Sequence, residues 1–334
     1  VAAHALTISI LSNQQRDGHE VWTSNILAGL EIALNGKSDF QVLESFSYDG
    51  VENFQEALDR TSADVIVSDF ADAESSAVGG EQSLFINLSA EQDDTCTTNT
   101  LHLAGDVELG RLAAIYLNGL NTQRTFTFLQ DSKEGRALLD SFRSSYSGGL
   151  GGAAFAVEGQ EDFSDEVGIL RVTKADGAYF DLEGELLYTY LNSMAESEVL
   201  KQVAAVTTSL IDYDLVSLET RAALDTVTLV SAWNADTVDA AAFKSNFRKL
   251  TGNDPSFEGL LGFEVGGVLM EAAREGRDDL FANALSLSWQ SPRGPVQIDE
   301  FGYAIVPVSA FRLAENALSL KARIAVPANN SCAN

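Results

Sequence analysis

Basic residues are scarce in this sequence, which has 21 lysines and arginines against 49 aspartates and glutamates among 334 residues. The formal charge of −28 argues against nucleic-acid binding, because proteins neutralise phosphates with a basic surface. The same charge disfavours adhesion to an anionic membrane surface. The acidity is typical of a solvated surface, and a salty habitat is the alternative explanation.

Histidines and cysteines are also few. The three histidines, His4, His19 and His102, show no metal-ligating spacing, so a zinc enzyme is not indicated. The two cysteines, Cys96 and Cys332, match no metal motif. In an oxidising compartment they could form a disulfide, and two free thiols are an equal alternative. Nucleophile-elbow and phosphate-loop motifs are absent as well, so we predict a protein that is not an enzyme and uses no cofactor.

Long hydrophobic runs are missing too, so the sequence predicts no membrane insertion. The residues before the first apolar run, Ala3-His4-Ala5, fit the small-x-small pattern that ends a secretory signal. This pattern predicts an exported chain, periplasmic or secreted, whose signal peptide has been removed.

Short apolar runs alternate along the chain with segments of helical periodicity. Such alternation predicts an α/β protein with parallel sheets and helices on both faces. The length favours two domains. The glycines of SGGLGG, residues 147–152, lack the context of a dinucleotide fingerprint and are predicted to form a turn. Near the C-terminus, the pattern predicts two helices within 241–276, divided at 252–255, and a hairpin over 294–313.

Two successive apolar runs end on small polar and acidic residues. The run in ADVIVSDFADAESSAV, residues 63–78, stops at Ser68 and Asp69, and the run in LFINLSAEQDD, residues 84–94, stops at Ser89. In parallel sheets, ligands bind at the carboxyl ends of the strands. These strand ends are therefore predicted ligand contacts, although exposure to water alone would also tolerate them.

Five segments carry a resemblance to a known family. They are LHLAGDVELGRLAAIYL, TFLQDSKEGRALLDSF, DFSDEVGILRVTKADGAYFDLEGE, FKSNFRKLTGNDPSFEGLLGFEVGGVLMEAA and GPVQIDEFGYAIVPV. In this order they resemble type I periplasmic binding proteins. More narrowly, they are similar to receptors of ABC transporters for branched-chain amino acids, amides and urea.

The resemblance implies two doubly wound parallel-sheet lobes joined by three crossovers, which bind a small-molecule ligand and present it to a membrane ABC permease. We expect residues 1–121 and 234–290 to form the N-terminal lobe, and 122–233 and 291–334 to form the C-terminal lobe. A sensor or regulatory interaction module on the same fold, without transport, is the alternative function.

The resemblance also implies which residues contact the ligand. The implied contacts are Ser68, Asp69, Asp72, Ser89, Ala90, Glu91, Glu134, Asp181, Thr208 and Trp22. Glu91 stands where the amino-acid receptors have Ser or Thr, and an ionised Glu would repel a ligand carboxylate. A neutral or cationic ligand, such as an amide or an amine, is therefore predicted, unless Glu91 faces solvent. Trp22 could stack on a ligand, but a tryptophan at a helix start is more often a core residue.

Overall fold

Contacts within the chain divide it into two units. Unit 1 comprises residues 1–106, 238–307 and 325–334, and unit 2 comprises residues 107–237 and 308–324. The computed structural model describes residues 5–15, 18–43, 45–49, 51–69, 83–89, 99–105, 108–212, 215–285, 287–314 and 317–326.

The main sheet of unit 1 is parallel and has the strand order β2–β1–β4–β5–β6, with β3 also paired to β1. These strands are β1 (Leu6–Asn13), β2 (Phe40–Val42), β3 (Phe46–Tyr48), β4 (Val65–Ser68), β5 (Leu84–Asn87) and β6 (Thr100–His102). Helices α1 (His19–Leu34) and α2 (Val51–Arg60) connect the first strands. This order places the carboxyl ends of β4 and β5 side by side at the centre of one edge.

The apolar residues of unit 1 separate onto the two faces of this sheet. Val65 and Val67 join one cluster with α1, whereas Ile66 joins another cluster with Phe54 of α2. Because alternate residues of a strand point to opposite faces, a strand buried on both faces reads as the continuous apolar run seen in the sequence.

Later parts of unit 1 come from the C-terminal third of the chain. They are α8 (Ala241–Thr251), α9 (Phe257–Glu275), α10 (Leu280–Ala284), β12 (Ser288–Ser291), β13 (Gly294–Ile298) and the start of β14 (Ala304–Ala314). Strands β12, β13 and β14 pair antiparallel. The two helices divided near 252–255 and the hairpin are thus observed as predicted.

The sheet of unit 2 has the order β14–β11–β10–β9–β7–β8, with β15 also paired to β14. Its strands and helices are α3 (Leu109–Gly119), β7 (Arg124–Gln130), α4 (Lys133–Ser145), β8 (Gly149–Ala156), α5 (Ser164–Val172), β9 (Gly177–Asp181), α6 (Gly184–Glu196), β10 (Ala204–Thr207), α7 (Leu218–Ala223), β11 (Val227–Ser231) and β15 (Ala317–Val326). Short 3₁₀ turns occupy Val199–Lys201 and Leu224–Thr226. Strands β7 to β11 are parallel, and β14 runs antiparallel to β11.

The chain passes between the units at 106/107, 237/238 and 307/308, and again at 324/325. The first passage precedes α3, which packs on α4 of unit 2, whereas the sequence placed it after this helix. The hairpin strand β13 likewise falls in unit 1. The boundaries therefore differ from those expected from the sequence, because packing rather than chain order decides where a connecting helix or hairpin belongs.

Candidate functional site

The carboxyl edge of the unit 1 sheet brings three polar side chains into one row. Ser68 ends β4 and Asn87 ends β5, and the two residues are register partners. Asn87 is in turn the register partner of His102 at the end of β6. Register partners on parallel strands project to the same face of a sheet. Ser68, Asn87 and His102 therefore form a row across three neighbouring strand ends.

The hydrogen bonds of this row leave two polar atoms unused. Asn87 Oδ1 accepts a hydrogen bond of 2.9 Å from the backbone N–H of Ser89, which fixes the orientation of the amide. Within the described part of the chain, Asn87 Nδ2 and Ser68 Oγ have no hydrogen-bond partner, although the residues are only 1% and 0% exposed. Since buried polar groups in folded proteins are nearly always paired, this row presents two donors to an acceptor atom.

The other predicted ligand contacts of unit 1 differ in whether they lie at the strand ends. Asp69 and Ser89 are partly buried and follow β4 and β5 directly. Trp22 is 4% exposed and packs in the apolar cluster with Ile26 and Leu30, so it is a core residue and offers no free face for stacking. Asp72, Ala90, Glu91 and the predicted pair Cys96–Cys332 lie outside the described residues.

At the carboxyl edge of unit 2, a buried carboxyl group joins two hydroxyl groups. Asp181 ends β9, and Thr208 follows β10, where its hydroxyl donates to Asp181 Oδ2. The hydroxyl oxygens of Tyr179 and Thr208 are 3.1 Å apart. Because the Thr208 proton is committed to Asp181, Tyr179 is the donor to Thr208. Two predicted residues, Asp181 and Thr208, are thus brought together, and nothing in the sequence spacing indicated the third, Tyr179.

Burial raises the pKa of Asp181 above its usual range, and the negative charge of Glu183 adds to this effect. Hydrogen bonds from Thr208 and Ser209 act in the opposite direction. Burial also raises the pKa of Tyr179, with a further contribution from the charge of Asp181. The site therefore holds a neutral phenol beside a carboxyl group that resists ionisation.

A cavity of about 330 Å³ lies near this carboxyl edge of unit 2. Its lining includes the carboxylates Glu158, Glu161, Glu183 and Glu185, together with Gln130 at the end of β7. No lysine or arginine belongs to this lining. The cavity therefore presents acceptor groups and negative charge.

Glu134 lies away from this cavity, in the first turn of α4. It is fully exposed, and a backbone hydrogen bond and Ser132 lower its pKa. Ser132 caps α4 by accepting a hydrogen bond of 3.0 Å from the backbone N–H of Gly135. The described position of Glu134 is thus that of a helix N-terminus, where a carboxylate is stabilised by the helix dipole.

The described ranges contain no group of three or more His, Cys, Asp or Glu side chains able to hold a metal ion. Within the same ranges, no helix is both long and apolar enough to span a bilayer.

The sequence matches the family model described as periplasmic binding protein over residues 49–317. The chain belongs to the periplasmic binding protein family. Comparison with curated protein sequences gives no significant match. The type I fold with parallel-sheet lobes is confirmed.

Solved structures place this periplasmic binding protein among relatives of the same fold. A putative branched-chain amino acid ABC transporter protein from Rhodospirillum rubrum is 15% identical, with 95% of this chain and 100% of that chain covered and a TM-score of 0.76. A solute-binding protein of an ABC transporter from R. palustris, in complex with benzoate, is 15% identical, with coverages of 97% and 98% and a TM-score of 0.58. A branched-chain amino acid transporter substrate-binding protein from Streptococcus pneumoniae, in complex with isoleucine, is 14% identical, with coverages of 96% and 99% and a TM-score of 0.58. At these identities the similarity shows the fold.

Two features of this periplasmic binding protein were missed by sequence reasoning. Asn87 was counted within the apolar run that stops at Ser89, and its polar side chain was not singled out. The acidic cavity combines residues from three separate strand ends. Both features depend on the register between neighbouring strands, which cannot be read from the sequence.

Proposed function

We propose that this periplasmic binding protein binds a small polar ligand and presents it to the membrane permease of an ABC importer. The ligand is held at the carboxyl edge of the unit 1 sheet. The observation that carries the proposal is the pair of buried, unused donors, Ser68 Oγ and Asn87 Nδ2. An acceptor atom of the ligand satisfies both donors and removes the cost of leaving them unpaired.

The ligand is neutral or cationic, such as an amide or an amine. The carboxyl group of Asp69 directly follows Ser68 at this edge of the unit 1 sheet. A ligand carboxylate placed beside it would be repelled in a partly dehydrated site. The carbonyl oxygen of an amide can accept from Ser68 and Asn87, while its N–H groups can donate to a carboxylate. This preference separates the protein from the neighbours whose structures contain benzoate and isoleucine.

The protein works outside the cytoplasm, in the periplasm or after secretion. Membership of the periplasmic binding protein family supports this location.

A thermal-shift panel tests the proposal with matched probes that share one carbon skeleton: isobutyramide, isobutylamine and isobutyrate, together with isoleucine and benzoate. A ligand that binds only the folded chain stabilises it by about 2.7 kcal/mol at a concentration of 100 Kd. We expect stabilisation by the amide or the amine and none by the three carboxylates. Ser68→Ala should abolish this shift, and Ser9→Ala, which changes another buried serine of the same sheet, should retain it.

Two results would contradict different parts of the proposal. Stabilisation by isoleucine or benzoate alone would overturn the charge preference and leave the solute-binding function intact. Solute binding itself would be contradicted by two results together. No probe would stabilise the chain, and a metabolite extract of cells would leave its small-angle scattering unchanged.

A further inference from the structure

A buried ion pair in unit 1 lies outside the candidate ligand site. Glu264 of α9 and Arg293, in the turn between β12 and β13, have side chains that are 0% exposed. Arg293 Nε donates to Glu264 Oε1 at 2.8 Å, and Arg293 Nη2 donates to Glu264 Oε2 at 2.6 Å. Ser291 Oγ also donates to Glu264 Oε1. The pair thus ties a long helix to a hairpin through a bidentate contact.

Arg293 also donates hydrogen bonds to the backbone of a third segment of the chain. Its Nη2 donates to the carbonyl oxygen of Leu103 at 2.9 Å, and its Nη1 donates to that of Ala104 at 3.1 Å. These residues follow β6 directly and precede the passage of the chain to unit 2 at 106/107. Arg293 therefore fixes the backbone of unit 1 close to the point where the chain leaves it.

The same segment contacts the beginning of β14, where the chain leaves unit 1 a second time at 307/308. Gly105 has φ +71°, and a Cβ added to it would lie 2.6 Å from Val306 Cγ1. The rings of His102 and Tyr303 stack with centroids 4.2 Å apart. The backbone N–H of His102 donates to Gly302 O at 2.9 Å. The two exit segments, residues 102–105 and 302–307, are therefore in contact along their length.

Stability alone does not explain a pair of this kind. A buried ion pair is often replaced by apolar residues without loss of stability, because dehydration of the two charges offsets their attraction. Here an apolar replacement would also leave the carbonyl groups of Leu103 and Ala104 without a side-chain donor among the described contacts. Lysine cannot replace the arginine, since it lacks the planar fork that serves a carboxylate and two carbonyls at once.

We propose that Glu264 and Arg293 are a positioning pair, which holds the two exit segments in one conformation. The pair contacts no predicted ligand residue. It acts through the backbone of Leu103, whose N–H donates to Asn87 O at 3.0 Å. The proposal concerns the ligand-free chain and does not depend on the ligand assigned above.

Hydrogen exchange of the full chain, measured by mass spectrometry, tests whether the pair holds the two exit segments. In Arg293→Lys, we expect amides of residues 102–105 and 302–307 to exchange about tenfold faster, because each carbonyl loses a charged donor. Amides of β4 should keep the wild-type rate. The matched control is Arg248→Lys, which changes an exposed ion pair of the same unit, Arg248 with Asp254, and should alter neither segment.

Two outcomes would overturn the inference. One is wild-type exchange in the exit segments of Arg293→Lys. The other is faster exchange throughout unit 1, β4 included, which would assign the pair to general stability. Glu264→Gln keeps the size of the side chain but replaces one of the two acceptor oxygens with an NH2 donor. It removes the bidentate contact and provides the same readout if Arg293→Lys does not fold.

Discussion

At the scale of single residues, the serines of the unit 1 sheet show how hydrogen bonding separates structure from function. Ser9 and Ser68 are both 0% exposed. Ser9 Oγ accepts a hydrogen bond of 2.9 Å from Thr61 Oγ1, whereas Ser68 Oγ has no partner among the described residues. A buried hydroxyl without a partner costs free energy in the folded state. The described contacts therefore give Ser68 no stabilising role in the sheet.

Ser68→Ala should leave the ligand-free protein equally stable or stabilise it by about 1 kcal/mol, because an unpaired polar group is removed from the interior. Ser9→Ala should destabilise it by roughly 1 kcal/mol, since Thr61 loses its partner. Urea denaturation of both variants measures the difference. A clear loss of stability in Ser68→Ala would show that its hydroxyl is paired in the folded chain.

The carboxyl group of Asp181 gives the stability of unit 2 a specific pH dependence. Burial raises its pKa in the folded chain, so the folded state holds this proton more tightly than the unfolded state does. The resulting stabilisation is complete below the unfolded pKa of about 3.9 and is lost as the pH rises through the folded pKa. Asp181→Asn removes this loss and keeps an acceptor for Thr208.

We therefore expect the stability of Asp181→Asn relative to the wild type to increase between pH 4 and pH 7. Asp176→Asn should show the opposite sign at lower pH. Although burial opposes it, the hydrogen bonds from the backbone of Gln123 and Arg124 hold the pKa of Asp176 below its usual value. The wild type therefore loses this stabilisation as the pH falls below the unfolded pKa of about 3.9, and Asp176→Asn does not. Denaturation midpoints measured from below about pH 4 up to about pH 7 test both signs, and parallel curves for Asp181→Asn and the wild type would contradict the assignment.

At the scale of elements, helices α1 and α9 approach each other closely enough to exclude side chains. A Cβ added to Gly29 would lie 2.0 Å from Gly259 O, and one added to Gly262 would lie 2.1 Å from Ile26 O. Backbone atoms on both sides leave no flexible group to move aside. The glycines of α9 therefore set how near the helix comes to α1.

Gly262→Ala should destabilise the protein by about 2–3 kcal/mol, because the two helices must move apart. Gly168→Ala provides the control, since a Cβ at this helical position of α5 meets nothing within 4 Å. There the gain in helix propensity should stabilise the chain by up to about 1 kcal/mol. Thermal and urea unfolding of the two variants compare these effects, and equal changes would show that the approach of α1 and α9 is not limiting.

Element prediction succeeded for continuous apolar runs and failed where the strand had three residues or was glycine-rich. The runs predicted to stop at Ser68–Asp69 and at Ser89 correspond to the strands Val65–Ser68 and Leu84–Asn87. Strand β6 has only three residues and gave no periodic signal. The glycine-rich segment predicted as a turn instead begins β8, which pairs with β7 across a register shift. Pairing with a neighbouring strand overrides the weak strand propensity of glycine.

At the scale of the whole molecule, a formal charge of −28 makes self-repulsion a general cost of folding. Sodium chloride screens this repulsion, since the Debye length falls from about 10 Å at 0.1 M to about 3 Å at 1 M. We expect the melting temperature to rise over this range of salt concentration.

The control for this prediction is a variant with less charge. Glu56, Glu196 and Glu275 are exposed, and their joint replacement by Gln lowers the net negative charge without altering the core. Its melting temperature should depend less on sodium chloride than that of the wild type. An identical salt dependence in the two proteins would mean that screening of net charge is not the cause.

The sequence by itself determined the fold class, the family and the strand ends at which to look for a ligand. Hydrophobic periodicity and motif order are local properties of the chain, and they persist whatever the sheet order. Tertiary structure alone decided that Asn87 lies beside Ser68, that Trp22 is a core residue, and that Arg293 reaches the backbone of Leu103. These facts depend on strand register and on contacts across 190 positions of the chain, which no local pattern encodes.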